Sequence, residues 1–166
     1  MIVVLNGAPR SGKSSIAAAI QETFDGIWMN LGVDVSRAMT PQRAQPGIGL
    51  RPGEPAHPAA AFVTVLYAAL WDSIAAHERL GLNVAADVGI YDPSVAADAV
   101  RRLSGLPVFF VGVRCPLEVL EARGGSARWH DAVHTQLTYD LDVDTSLLSP
   151  GDCAARIRQQ LATVMA

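Results

Sequence analysis

Short apolar runs alternate with longer amphipathic ones from one end of the chain to the other. Strand-length segments run over Ile2–Asn6, Ile27–Leu31, Leu82–Asp87, Pro107–Val113 and Leu141–Asp144. Between them the spacing of apolar positions becomes helical, over about Lys13–Phe24 and from Pro58 to about Leu80. Apolar strands separated by helical stretches predict an α/β fold, in which crossover helices cover a parallel sheet. Asp92-Pro93, Cys115-Pro116 and Ser149-Pro150 place a proline where a first helical turn tolerates one. Ser149 and Asp152 have the spacing of a reciprocal cap ahead of the terminal helix. Residues 40–58 hold five prolines and three glycines, which predicts an irregular loop of the length that is usually functional or disordered.

No internal repeat and no second domain is visible, so residues 1–166 read as one domain. Half of the residues are hydrophobic and 17% are charged, as in a compact globular protein. The net charge of −3 speaks against a nucleic-acid partner, which favours a basic surface. No basic leader precedes the first apolar segment, and the longest apolar run, Ala59–Trp71, falls short of the about 20 residues that cross a bilayer. The expectation is a cytoplasmic protein without a membrane partner. Cys115 and Cys153 match no zinc or redox spacing and read as buried, reduced thiols. His57, His77, His130 and His134 form no metal-ligand pattern; His130 and His134 are four apart on a possible helix but lack a partnering acid.

Of thirteen basic residues twelve are arginine, and the single lysine, Lys13, falls inside a motif. Gly7-Ala8-Pro9-Arg10-Ser11-Gly12-Lys13-Ser14, followed by Ser15, fits the G-x-x-x-x-G-K-S phosphate-binding loop at every fixed position. Glycines let the backbone wrap so that successive N–H groups face phosphate oxygens, and the helix that opens at Gly12 adds its positive end. Lys13 supplies charge to the terminal phosphates of ATP, and Ser14 a hydroxyl to Mg²⁺. An apolar strand before the motif and a helix after it are the context this reading requires. A dinucleotide fold is disfavoured, because the glycines are not spaced G-x-G-x-x-G.

Two aspartates end strands near this loop. Asp87 closes the third strand, where a carboxylate can hold Mg²⁺; the plainer role is a turn or cap. Asp34 follows the second strand, where a carboxylate can take the proton of an attacking hydroxyl; the plainer role is the N-cap of a short helix. Arg123 and Arg128 flank Gly124-Gly125 in a segment, residues 123–130, that reads as a short lid able to bring guanidinium groups to the phosphates. Either arginine could equally be an ordinary surface residue.

The phosphate loop after Val3-Val4-Leu5-Asn6, together with Leu31-Gly32-Val33-Asp34, Val111-Gly112-Val113-Arg114-Cys115-Pro116 and Tyr139-Asp140-Leu141-Asp142-Val143-Asp144-Thr145, resembles the chloramphenicol phosphotransferase family. The resemblance implies a three-layer, nucleotide-kinase-like P-loop fold with a five-stranded parallel sheet. It also implies ATP with Mg²⁺, Lys13 on the phosphates, Asp34 as catalytic base and lid arginines on the transferred group. This chain differs in a shorter lid, in a shortened and proline-rich stretch after Met39 taken to line the acceptor side (residues 40–58), and in one carboxylate rather than two at Ala86-Asp87. Three readings stay open: a kinase for chloramphenicol, a kinase for another small alcohol, and a nucleotide-binding protein that no longer catalyses. A GTPase-type switch is excluded, because its N/T-K-x-D segment needs a second lysine.

Overall fold

In the computed structural model, which describes residues 1–45 and 61–164, five strands form one parallel sheet. They are β1 (Ile2–Asn6), β2 (Trp28–Gly32), β3 (Asn83–Val88), β4 (Val108–Arg114) and β5 (Leu141–Asp144), in the spatial order β2-β3-β1-β4-β5. Among the described residues six α-helices connect and flank them: α1 (Lys13–Thr23), α2 (Val33–Met39), α3 (Val63–Arg79), α4 (Pro93–Arg102), α5 (Leu117–Ala122) and α6 (Pro150–Val164).

Alternation along the strands explains the layering. Side chains of successive strand residues point to opposite faces, and β1 is buried on both. Ile2 and Val4 meet Leu70, Trp71 and Ile74 of α3 and Val95 and Ala99 of α4. Val3 and Leu5 meet Ile16 and Ile20 of α1 and Ile157 and Leu161 of α6. The result is three layers, with helices on both sheet faces, which is why the strands read as continuous apolar runs.

The sheet order puts β1 at its centre, hydrogen-bonded to β3 on one side and β4 on the other. The connection that leaves β1 runs toward β2, whereas the one that leaves its neighbour β3 runs across to β4, and such a switch point opens a crevice for ligands.

Three strands begin one residue later than the apolar runs. Ile27 is largely exposed, Leu82 precedes the ladder, and Pro107 lacks the N–H that pairing needs, contributing only its carbonyl to Ile2 N (2.8 Å). The helix expected from Pro58 is described from Val63 and ends at Arg79. The expected irregular loop over 40–58 falls largely outside the described residues; its first part holds a short 3-10 turn, Gln42–Ala44. Ser149 and Asp152 do cap each other at α6: the Ser149 hydroxyl donates to Asp152 Oδ2 (2.6 Å) and accepts from Asp152 N (3.2 Å). No helix among the described residues is long and apolar enough to cross a membrane.

Asp92 caps α4 by accepting from Ser94 N and from the Ser94 hydroxyl, both at 2.7 Å, and these bonds hold its carboxyl below the usual aspartate range. A depressed carboxyl contributes stability above its unfolded value and loses it as pH falls through the folded one. Asp92→Ala is therefore expected to cost about 1 kcal/mol near neutral pH. In urea unfolding, the gap from the unsubstituted chain should narrow once pH drops below the ordinary aspartate value of 3.8.

Candidate active site

The site begins where β1 stops. Residues 7–12 turn out of the sheet and α1 starts at Lys13. Two residues in this turn adopt the left-handed backbone, Gly12 (φ 96°) and Arg10 (φ 69°). For glycine that region is open; for arginine it stores about 1–2 kcal/mol of local strain, which the surrounding contacts hold in place. No side chain caps α1, so its leading N–H groups are left to an anion. The Ser11 hydroxyl is buried with no protein partner among the described residues. A Cβ on Gly7 would sit 2.6 Å from the Val113 carbonyl, so only glycine lets the loop leave the sheet so close to β4.

Lys13 is buried, donates to the Ala8 carbonyl (2.8 Å) and lies 3.7 Å from Asp87 Oδ1. The Ser14 hydroxyl donates to Asp87 Oδ2. Asp87 is thus not the cap of a helix; it is a buried carboxylate facing the lysine and serine of the loop. Among the described residues no three or more His, Cys, Asp or Glu side chains gather as a metal cage. One hydroxyl beside one carboxylate is instead the partial donor set that Mg²⁺ completes with water and phosphate oxygens.

A cavity of about 680 Å³ opens over this cluster. Its floor is the phosphate loop with Arg10, Lys13, Ser14 and Ser15; Ala8 and Ser11 lie behind the loop surface. One wall carries Asp34 and Arg37 of α2, both exposed. Asp34 occupies the second position of that helix, whose N-cap position is Gly32. It is therefore not the N-cap, and its carboxylate takes part in no ion pair or hydrogen bond with a described residue. Tyr67 of α3 and Tyr91 continue this side, the Tyr67 hydroxyl donating to the Gly89 carbonyl (2.9 Å).

The opposite end is walled by Arg123, Thr145, Leu148 and Pro150. Arg123 stands at the end of α5 and donates to Thr145 Oγ1 (3.0 Å) and to the Thr145 carbonyl (2.8 Å). The Thr145 hydroxyl in turn donates to Ser11 O (2.8 Å), tying the loop to the end of β5. Arg128 does not line the cavity; it is exposed on a 3-10 turn, Ala127–Trp129. The two arginines of the expected lid thus have separate surroundings.

Sequence reasoning gave no role to Asn6, which holds the root of the loop. Its Nδ2 donates to Val133 O (2.8 Å) and to the Tyr139 hydroxyl (2.7 Å), and its Oδ1 accepts from Ile90 N (2.8 Å). A polar residue closing an otherwise apolar strand was the available signal. His134 Nδ1 lies 3.0 Å from the same Tyr139 hydroxyl. Burial, with the Arg114 charge nearby, pushes its pKa down to about 4, so it stays neutral near pH 7. His130 and His134 sit on and beside short 3-10 turns, not on one helix; His77 bonds Ser73 O within α3; and His57 is outside the described residues. Both cysteines are buried free thiols.

The family model described as "Chloramphenicol phosphotransferase-like protein" matches residues 1–162. A Mycobacterium tuberculosis protein with the provisional name O-phosphotransferase is 25% identical over 185 aligned positions, spanning 95% of this chain and 80% of the relative. Among solved structures, the Mycobacterium tuberculosis APS kinase CysC in complex with AMPPNP and APS superposes with a TM-score of 0.74 at 18% identity, over 97% of this chain and 96% of that one. Shikimate kinase from Aquifex aeolicus superposes with a TM-score of 0.68 at 16% identity, over 99% and 98%. At these identities the structures establish the P-loop kinase fold.

Asn6→Ala would leave the buried Ile90 N–H without its side-chain acceptor and would remove the amide donor to Val133 O and to the Tyr139 hydroxyl. A loss of about 2–4 kcal/mol in urea unfolding is expected, and a loss below about 0.5 kcal/mol, the size of an ordinary surface substitution, would show that Asn6 is not the anchor.

Proposed function

The chain belongs to the chloramphenicol phosphotransferase-like family of small-molecule phosphotransferases, and on that premise we propose that it moves the γ-phosphoryl group of ATP to a hydroxyl of a small molecule. The observation that carries this reading is the position of Asp34. It shares one cavity with Lys13 and with the Ser14–Asp87 pair, yet stands on a different wall.

The phosphate loop, with its uncapped helix start and Lys13, would hold the triphosphate. Lys13 would exchange its bond to the Ala8 carbonyl for phosphate oxygens. Ser14 and Asp87 would hold Mg²⁺, which supplies charge neutralisation along the phosphates when bound. Arg123, Leu148 and Pro150 offer the base a planar cation and an apolar surface, with the arginine fixed by Thr145. Asp34 would accept the proton of the acceptor hydroxyl as its oxygen attacks the γ-phosphorus and the bond to the departing ADP breaks. Phosphoryl transfer needs little more than this positioning and electrostatic support.

The reading gives Arg128 no role. It keeps residues 1–166 as one kinase unit, with 123–130 as a short lid over the base end. Residues 40–58, of which 46–58 lie outside the described residues, keep their assignment to the acceptor side in this reading, since they follow α2, which carries Asp34. A carboxylate that lines the same cavity as the phosphate loop favours catalysis over mere nucleotide storage. The acceptor is a small alcohol; chloramphenicol, and with it a role in antibiotic resistance, is one candidate. A cytoplasmic location would meet the need for ATP.

The test is phosphotransfer from ATP with Mg²⁺ to a panel of alcohols that includes chloramphenicol. Asp34→Asn should lower kcat by about 10²–10⁴ while changing nucleotide affinity by no more than about twofold. Transfer by Asp34→Asn at the unsubstituted rate would remove Asp34 from the role of base.

A further inference from the structure

Among the described residues, four cationic side chains line the cavity: Arg10, Lys13, Arg37 and Arg123. Arg10 and Lys13 belong to the phosphate loop, and Arg123 is held by Thr145 at the far end. Arg37 is different. It stands on α2 three residues after Asp34, so the two share one face of the helix with their Cβ atoms roughly 5–6 Å apart. They do not neutralise each other, and no ion pair joins either to a described residue. A carboxylate and a guanidinium on one cavity wall, neither committed to an acid–base pair with a described residue, are available to a ligand.

The guanidinium is also held in place. Arg37 Nε donates to Gln45 Oε1 (3.2 Å). The Gln45 amide nitrogen donates to the carbonyls of Arg37 (3.1 Å) and Thr40 (2.8 Å), which stitches Gln45 to the end of α2. With Nε occupied, the two terminal amino groups remain as an end-on fork, and such a fork fits the two oxygens of a carboxylate.

We infer that the acceptor is a hydroxy acid whose carboxylate is bound by Arg37 about one helical turn from the hydroxyl that Asp34 deprotonates. The inference rests on Asp34 being the acceptor base. Arg37 is a substrate-binding residue in this account, and Gln45 is the residue that positions it. A neutral alcohol would forgo the charge-assisted bonds to the guanidinium, so the same pair favours acids over neutral acceptors.

Gluconate, shikimate and glycerate, each beside its primary amide, and chloramphenicol as a neutral alcohol, can be assayed with ATP and Mg²⁺. The expected result is a kcat/KM at least about tenfold higher for an acid than for its amide. Arg37→Gln should abolish that preference by raising KM for the acid, with kcat and the KM for ATP unchanged. Gln45→Ala should raise the same KM in part and leave amide turnover alone. Equal use of acids and amides, or transfer confined to amides and chloramphenicol, overturns the inference and leaves the kinase reading standing. So does an Arg37→Gln effect on ATP in place of the acid, which would assign Arg37 to the nucleotide. Absence of transfer to every compound, together with absence of ATP binding, overturns the kinase reading itself and this inference with it.

Discussion

Everything at the site depends on the register of three parallel strands at their carboxyl ends. Asp87 of β3 is opposite Leu5 of β1 and Gly32 of β2. The phosphate loop leaves β1 two residues beyond Leu5, and α2 leaves β2 directly after Gly32. One ladder thereby brings the loop, the buried carboxylate and the helix bearing Asp34 to a common edge. Gly32 is what makes the approach possible. A Cβ there would lie 2.5 Å from the Asp87 carbonyl and 3.1 Å from Asp87 Cβ, too close for any other residue without moving the strand.

Within that frame the charges are arranged for exchange more than for stability. A buried lysine facing a buried aspartate costs desolvation that a 3.7 Å separation only partly returns. Lys13 spends its hydrogen bond on a loop carbonyl, and Ser14 spends its own on Asp87. These are internal substitutes for the partners that a phosphate and a cation would provide. Thr145 adds the third tie, pressing against Gly12 with its methyl group at 3.3 Å from where a Cβ would be and binding Ser11 O with its hydroxyl. The loop is therefore preorganised from three directions: Asn6 beneath, Asp87 beside and Thr145 above.

The strands, their order of appearance and the phosphate loop were legible because each is a local pattern. An apolar run of strand length or a glycine–lysine spacing needs nothing from the rest of the chain. Strand starts moved by one residue where pairing or exposure overruled the apolar run, as at Ile27 and Pro107. Asp34 and Asp87 were legible because each follows or ends a recognisable strand. Tyr67, Arg37 and Thr145 were not, since a helical tyrosine, a helical arginine and a threonine after an edge strand have no local mark of a site; only packing across the sheet brings them to the cavity. Arg123 and Arg128 looked alike in sequence, five residues apart beside glycines, and the fold separated them: one is tied to Thr145, the other lies outside the cavity.

Calorimetric titration of ATP with Mg²⁺ into the folded protein and its Lys13→Ala variant tests the central claim most directly. The account predicts one saturable site in the unsubstituted chain and an affinity at least about tenfold weaker without the lysine, the scale of a lost charge-assisted bond. Equal affinity in the two proteins, or no binding by either while both remain folded, would contradict it.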